Sequence, residues 1–193
     1  MRSTRQRFSA LTLKFTGRAN RIISDVSVSL PFDPDQVPPD REFPRHHTRA
    51  IWDTGATNSF ITPGTVNAVG LLPVGKAQIG HAVGHSEVNT YLVNLYLPNS
   101  VGVPGIQVSE CADTDGSFGV IIGMDVIALG DFAITNVDGY TWMSFRVPPI
   151  EAIDYVDEAN KMRYAGTGRN DPCPCGKTHN DRPVKYKHCH GKS

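Results

Sequence analysis

The chain has no net charge: 19 Lys and Arg balance 19 Asp and Glu over 193 residues. No global field therefore draws it to nucleic acid or to a membrane surface. It also lacks any apolar run near the roughly 20 residues that a membrane-spanning helix needs, which points to a soluble protein. Cysteine is scarce. Of four, Cys111 stands alone, while Cys173, Cys175 and Cys189 fall together beside histidines. That grouping excludes a disulfide framework and reads as a metal site in a reducing compartment, so the cytoplasm is the expected location. Internal repeats are absent, and so is any long stretch of helical periodicity. What is plentiful is Gly (18) and Pro (14), a composition of short strands and tight turns. A hydrophobic content of 39% with 20% charged residues is that of a globular chain.

The charge balance conceals a division. Residues 1–24 hold six Lys/Arg and no acid, residues 25–162 hold six against seventeen acids, and residues 163–193 hold seven against two. The basic end is thus a separate unit with its own partner preferences. Arg2, Ser3, Arg5 and Arg7 would suit an organelle-targeting peptide, but Ala10–Phe15 already alternates like a strand, and no secretory apolar core follows.

Residues 9–15 and 22–30 alternate apolar and polar around Gly17-Arg18-Ala19-Asn20 and read as a hairpin. Pro31 to Arg49, with five prolines, reads as a loop that cannot pair inside a sheet. In it His46 and His47 are expected to be solvated. A short strand, Ala50-Ile51-Trp52, runs into Asp53-Thr54-Gly55-Ala56. Residues 71–97 suggest a longer hairpin with its tip near His81-Ala82-Val83-Gly84-His85. Further strands are expected at 101–108 and 118–122, then a last hairpin of 132–134 and 141–147 around Asp138-Gly139. Ile153 and Val156 with nearby acids allow a brief helix. The fold class is all-β, a barrel or sandwich.

Asp-Thr-Gly by itself is a weak match, but its surroundings are specific. An apolar pair leads into it, Ser59-Phe60-Ile61 resumes an apolar strand, and Ile121-Ile122-Gly123 follows about 70 residues later. This combination, over about residues 8–147, resembles the retropepsin-like aspartic peptidases. The resemblance implies an acid-protease barrel, one lobe per chain, with Asp53 as catalytic carboxylate. In such enzymes two carboxylates lie so close that they share a proton; one activates water while the other polarises the scissile carbonyl. Gly55 would let backbone approach the pair, Thr54 would bond across it, and Ala56 would stay small beneath the substrate. His81, Ala82, Val83 and Gly84 match the flap that closes over substrate. A two-histidine metal site at His81 and His85 lacks a completing carboxylate or cysteine. Asp125 matches the segment that supports the catalytic loop, and Asp113-Thr114-Asp115-Gly116 lacks the apolar lead-in. With one such loop per chain, the second carboxylate must come from another copy, so a homodimer is implied.

At the other end, Cys173, Cys175, Cys189 and His190 supply the three-sulfur, one-nitrogen set of closed structural zinc sites. Arg-Asn-Asp-Pro-Cys-Pro-Cys-Gly and Tyr-Lys-His-Cys-His-Gly closely resemble the SEC-C motif, the zinc module at the end of the translocation ATPase SecA. Thirteen residues separate Cys175 from Cys189, more than the compact module uses, and the extra stretch Thr178–Val184 adds His179 as a candidate substitute ligand. The resemblance implies Zn2+ in a structural role and docking to a protein or ribosomal partner. The expected domains are a peptidase at 1–148, a linker at 149–168 and the zinc motif at 169–193. The expected function is an aspartic endopeptidase acting on polypeptide. The alternatives are a non-catalytic polypeptide-binding adaptor of the same fold and, more weakly, a nucleic-acid-associated factor led by the basic ends. Against the last, the tail has no interleaved aromatics.

Overall fold

A computed structural model describes residues 9–32, 43–81, 84–98, 101–112 and 116–191. The chain divides into two compact units, Met1–Ile150 and Glu151–Ser193.

In the first unit the strands are β1 (Ser9–Lys14), β2 (Ile22–Ser29), β3 (His46–Trp52), β4 (Phe60–Ile61), β5 (Gly75–His81), β6 (Gly84–Tyr96), β7 (Gly102–Glu110), β8 (Val120–Ile122), β9 (Asp131–Val137) and β10 (Tyr140–Val147). Two short helices interrupt them, α1 (Pro63–Val69) and α2 (Met124–Ile127). One sheet runs β2-β3-β8-β4-β7-β6, and β6 pairs back onto β2, so six strands close a barrel. β5 pairs only the first half of β6, from Gly75 opposite Thr90 to His81 opposite Gly84, and extends from the barrel as a hairpin arm. β6 bends to serve both tasks: its register shifts between Val93 and Leu95. The buried Asn94 at that bulge donates to the Phe32 carbonyl and accepts from the Gly105 N–H.

The alternation of β2 is as expected, with Ile22, Ser24, Val26 and Val28 buried. Its partner is not. β1 and β2 do not form a hairpin: β1 pairs with β10 in a three-stranded sheet, β1-β10-β9, while β2 pairs with β3 and β6. Residues 15–21 carry the chain between the sheets and are tied to β10 by Phe15 N–H to Thr141 O, Thr141 N–H to Gly17 O, and Ala19 N–H to Thr141 Oγ. Alternation reveals that a face is buried, not which strand lies beside it.

β3 is also longer than expected. His46 to Arg49 belong to it, opposite Val28 to Asp25. The last proline of the preceding stretch is Pro44, so the backbone regains its donors just before the strand begins. α1 was not expected at all, although Thr62-Pro63 and Gly70 mark its ends. The Thr62 side chain accepts from the Thr65 N–H, Pro63 opens the helix, and Gly70 closes it at φ 74°. The β9–β10 hairpin forms where expected, with Asp138 and Gly139 both at positive φ.

Among the described residues the core of this unit gathers 22 buried apolar side chains, Val28, Ala50, Ile122, Val126 and Met143 among the most enclosed. Trp52 joins the barrel to the three-stranded sheet. Its ring stacks on Phe132 with centroids 5.5 Å apart and meets Phe145 edge-on at 5.2 Å, while its Nε1 donates to the buried Ser24.

The second unit contains α3 (Tyr155–Arg163), the two-residue strands β11 (Thr178–His179) and β12 (Arg182–Pro183), and a 3-10 turn at Tyr186–His188. Asp154 caps α3 by accepting from the Val156 and Asp157 N–H groups. The stretch between Cys175 and Cys189 is therefore structured: β11 and β12 form a hairpin whose turn residues, Asn180 and Asp181, both have positive φ. Only Tyr164 and Cys173 are buried among its described residues. No helix among the described residues is long and apolar enough to cross a membrane.

Candidate functional site

Asp53 follows directly on β3. Its backbone N–H donates to Ile122 O of β8 at 2.9 Å, and its carbonyl accepts from the Ala56 N–H at 3.2 Å, closing a tight turn. Within that turn the Gly55 N–H donates to the Asp53 carboxylate at 2.8 Å. The carboxylate is thereby aimed by the loop's own backbone, and a Cβ on Gly55 would come within 3.2 Å of it. Asp53, Thr54 and Gly55 are exposed, while Ala56 is half-buried. Among the described residues nothing in the protomer bonds the Thr54 hydroxyl.

The loop is held from the other side by α2. Met124 and Asp125 donate their N–H groups to Ala56 O (2.8 Å) and Thr57 O (3.2 Å). Asp125 accepts from Ser59 twice, from its N–H at 2.9 Å and its hydroxyl at 2.7 Å. The Ser59 oxygen in turn accepts from the Gly123 N–H. Gly123 has no space for a side chain: a Cβ would lie 2.4 Å from Asn58 O and 2.9 Å from Ala56 O. β3 runs parallel to β8, and β4 antiparallel to it. The two loops thus interlock, each held by the backbone of the other.

The first unit is retropepsin-like in fold. That assignment rests on the closed barrel, the hairpin arm and the interlocked Asp53 loop. The sequence features noted around Asp-Thr-Gly correspond to those parts, but Ser59, fully buried, was not singled out as the link between Asp125 and Gly123. The neighbouring apolar pattern gave it the look of an ordinary strand residue. In the arm, His81 ends β5 and Gly84 begins β6, paired with each other; Ala82 and Val83 lie outside the described residues. So do Asp113 to Asp115.

No family model matches the chain. Among curated proteins, a 34-residue stretch is 56% identical to protein translocase subunit SecA of Variovorax paradoxus (strain S110), covering 18% of this chain and 3% of SecA. Among solved structures, a retropepsin-like aspartic protease from Rickettsia conorii overlaps 73% of this chain and 96% of its own, at a TM-score of 0.43 and 10% identity. EIAV protease overlaps 56% of this chain and 86% of its own (TM-score 0.37, 20% identity). The retroviral protease-like domain of Ddi1 from Leishmania major overlaps 57% and 79% (TM-score 0.36, 17% identity). These overlaps are partial and stand beside the assignment without carrying it.

In the tail, the four sequence-predicted ligands come together. The sulfurs of Cys173, Cys175 and Cys189 and a ring nitrogen of His190 all lie within 4.8 Å of one another. His190 Nδ1 is 3.3 Å from both Cys173 and Cys189, and the Cys175 and Cys189 sulfurs are 3.6 Å apart. Zinc–sulfur bonds of about 2.3 Å in a tetrahedron put the sulfurs about 3.8 Å apart, so the donor set and its spacing fit zinc. His179 sits on β11, and the cluster assembles without it. Without a cation the thiols differ sharply. Burial opposes ionisation of Cys173, but the Cys175 N–H and the His190 and Cys175 side chains outweigh it and lower its pKa to about 6. Burial, then the neighbouring Cys175 and Cys173, push Cys189 up to about 11. Three thiolates at one point need a central positive charge. The His190 ring also packs on Tyr164 at 4.7 Å between centroids, joining the cluster to the end of α3.

Proposed function

We propose that the protein is a homodimeric aspartic endopeptidase whose Asp53 pairs with Asp53 of a second copy, and whose zinc-binding tail serves docking rather than chemistry. The observation that carries the reading is the Asp53 loop. Its carboxylate is oriented by the Gly55 N–H and belongs to an exposed residue, and the loop that follows it is held at Ala56, Thr57 and Ser59 by Met124, Asp125 and Gly123. A clamp this elaborate preorganises one exposed carboxylate, which is what attack by an activated water requires.

The protomer offers half of such a site. Asp125 is committed to Ser59 and to the Val126 N–H, so it is not free to act as the second carboxylate. The Thr54 hydroxyl, without a partner among the described residues, and the exposed Met124 of α2, which is bonded to the loop at Ala56, support an isologous contact at this face. Across the two-fold axis one carboxylate would deprotonate water while the protonated partner polarises the peptide carbonyl. The β5–β6 arm, whose strands end at His81 and begin at Gly84, would close over the bound chain. In the tail, the three cysteines and His190 fill the coordination of a structural zinc and leave no position for a reacting water.

Purified protein against a diverse peptide library tests the reading. Wild type should cleave, and Asp53→Asn should not. Activity per protomer should fall on dilution through the dimer dissociation constant, followed by ultracentrifugation. Excess Asp53→Asn should poison wild-type chains. A fully active monomer would sink the proposal, and a dimer that grips peptides without cleaving any would favour the adaptor.

A further inference from the structure

The tail carries an open groove of about 590 Å³, apart from the Asp53 loop in sequence. Lys177, His179, Arg182, Lys185, Lys187 and His188 line it, and no acidic side chain does. None of its four Lys and Arg residues has an ion-pair partner among the described residues. Of the two acids after Arg163, Asp171 accepts from the Gly168 N–H, and Asp181 sits at the hairpin turn outside the lining.

The groove is built on the β11–β12 hairpin, the stretch by which this tail departs from the compact module. It is tied to the metal cluster through backbone bonds: Val184 N–H to Lys177 O at 2.9 Å, and Cys173 N–H to Val184 O at 2.8 Å. His188, in the lining, directly precedes the ligand Cys189. Four cations without an ion-pair partner among the described residues thus line one groove in a chain with no net charge, which is a local attraction for anions and not a global one.

We infer that this groove binds an acidic stretch of polypeptide, rich in Asp and Glu and extended across the hairpin. The inference deepens the docking role proposed for the tail and does not depend on whether Asp53 cleaves. A polypeptide is favoured over single-stranded nucleic acid because the lining holds no Phe, Tyr or Trp ring, only the smaller imidazoles of His179 and His188, on which bases could stack. Tyr186, the one nearby aromatic, is turned towards Tyr164 and Gly191. The two-residue strands also leave backbone edge available to an extended chain. Placed on a peptidase, such a groove would select substrates by an acidic tag remote from the scissile bond.

The test uses the full zinc-loaded chain carrying Asp53→Asn, so that bound peptide is not consumed. Fluorescence anisotropy compares a labelled Glu-rich peptide, a Gly/Ser peptide of equal length, and an oligouridylate of equal charge. The Glu-rich peptide should bind, with affinity falling as salt rises, and the Gly/Ser peptide should not. Lys177→Glu with Arg182→Glu should weaken binding by about tenfold. The separate pair Lys185→Glu with Lys187→Glu should do the same, with zinc content measured for both. Tighter binding of oligouridylate, equal binding of the Gly/Ser peptide, or undiminished binding in both zinc-loaded pairs would overturn the inference.

Discussion

The two units reach order by opposite means. The first encloses 22 apolar residues between a closed barrel and a three-stranded sheet. The second buries only Tyr164 and Cys173 among its described residues, and its most compact feature is a cluster of four metal-ligating side chains. Hydrophobic burial scales with enclosed area, and a segment of this size encloses too little to offset its conformational entropy. The barrel can therefore hold a site by packing and interlocked backbone, whereas the tail, on the zinc-binding reading proposed above, would take its stability from a metal. A site of the first kind should be indifferent to chelators, and one of the second kind should be lost to them.

The largest expected effect breaks the tail alone. A strong chelator, or Cys173→Ser, should unfold residues 169–191, since structural zinc in small modules contributes on the order of 10 kcal/mol. Heteronuclear NMR would show tail resonances collapsing while barrel resonances stay, and turnover of short peptides should be unchanged. Loss of both together would make the metal part of the chemistry.

Next in size is Asp53→Asn. Removing a general acid–base group costs about a hundred- to ten-thousandfold in rate, and the near-isosteric amide should leave the melting temperature within a few degrees. Surviving cleavage in Asp53→Asn, with loss in Asp125→Asn, would reassign the site.

A smaller change sharpens how the barrel holds its loop. Gly123→Ala puts a Cβ 2.4 Å from Asn58 O, against backbone that cannot swing aside. A cost of about 1–3 kcal/mol is expected, read from chemical denaturation, together with reduced turnover from a displaced Asp53. Gly17→Ala, at a site with nothing within 4 Å, is the matched control.

The smallest effect expected is at the cap of α1. Thr62→Ala removes the acceptor for the Thr65 N–H and should cost about 1 kcal/mol without altering catalysis.

Much of this is legible in the sequence, and for definable reasons. Asp53-Thr54-Gly55 and the four tail ligands are contiguous or closely spaced residues whose chemistry is local, so their types and spacing already restrict what they can do. The β9–β10 hairpin was equally local, set by Asp138-Gly139. The pairing of β1 with β10, more than a hundred residues apart, was not local, and an alternating pattern is satisfied by any partner that covers its apolar face. α1 is not legible from periodicity, because its seven residues are too few to show it, although Thr62, Pro63 and Gly70 carry its start and stop signals.

Sequence alone determined which atoms are available: one Asp-Thr-Gly-Ala carboxylate, three thiols and an imidazole in the tail, and a basic end on a neutral chain. Tertiary structure decided what those atoms face. It brought Asp125 and Gly123 onto Ser59 of the Asp53 loop, although Ser59 and Gly123 are 64 positions apart in the chain. It also turned an unexplained insertion into a hairpin that sets four cations along one groove. The division has one physical cause. Bond-forming chemistry belongs to side-chain type, which the sequence states outright, whereas orientation and electrostatic surroundings depend on contacts between distant segments.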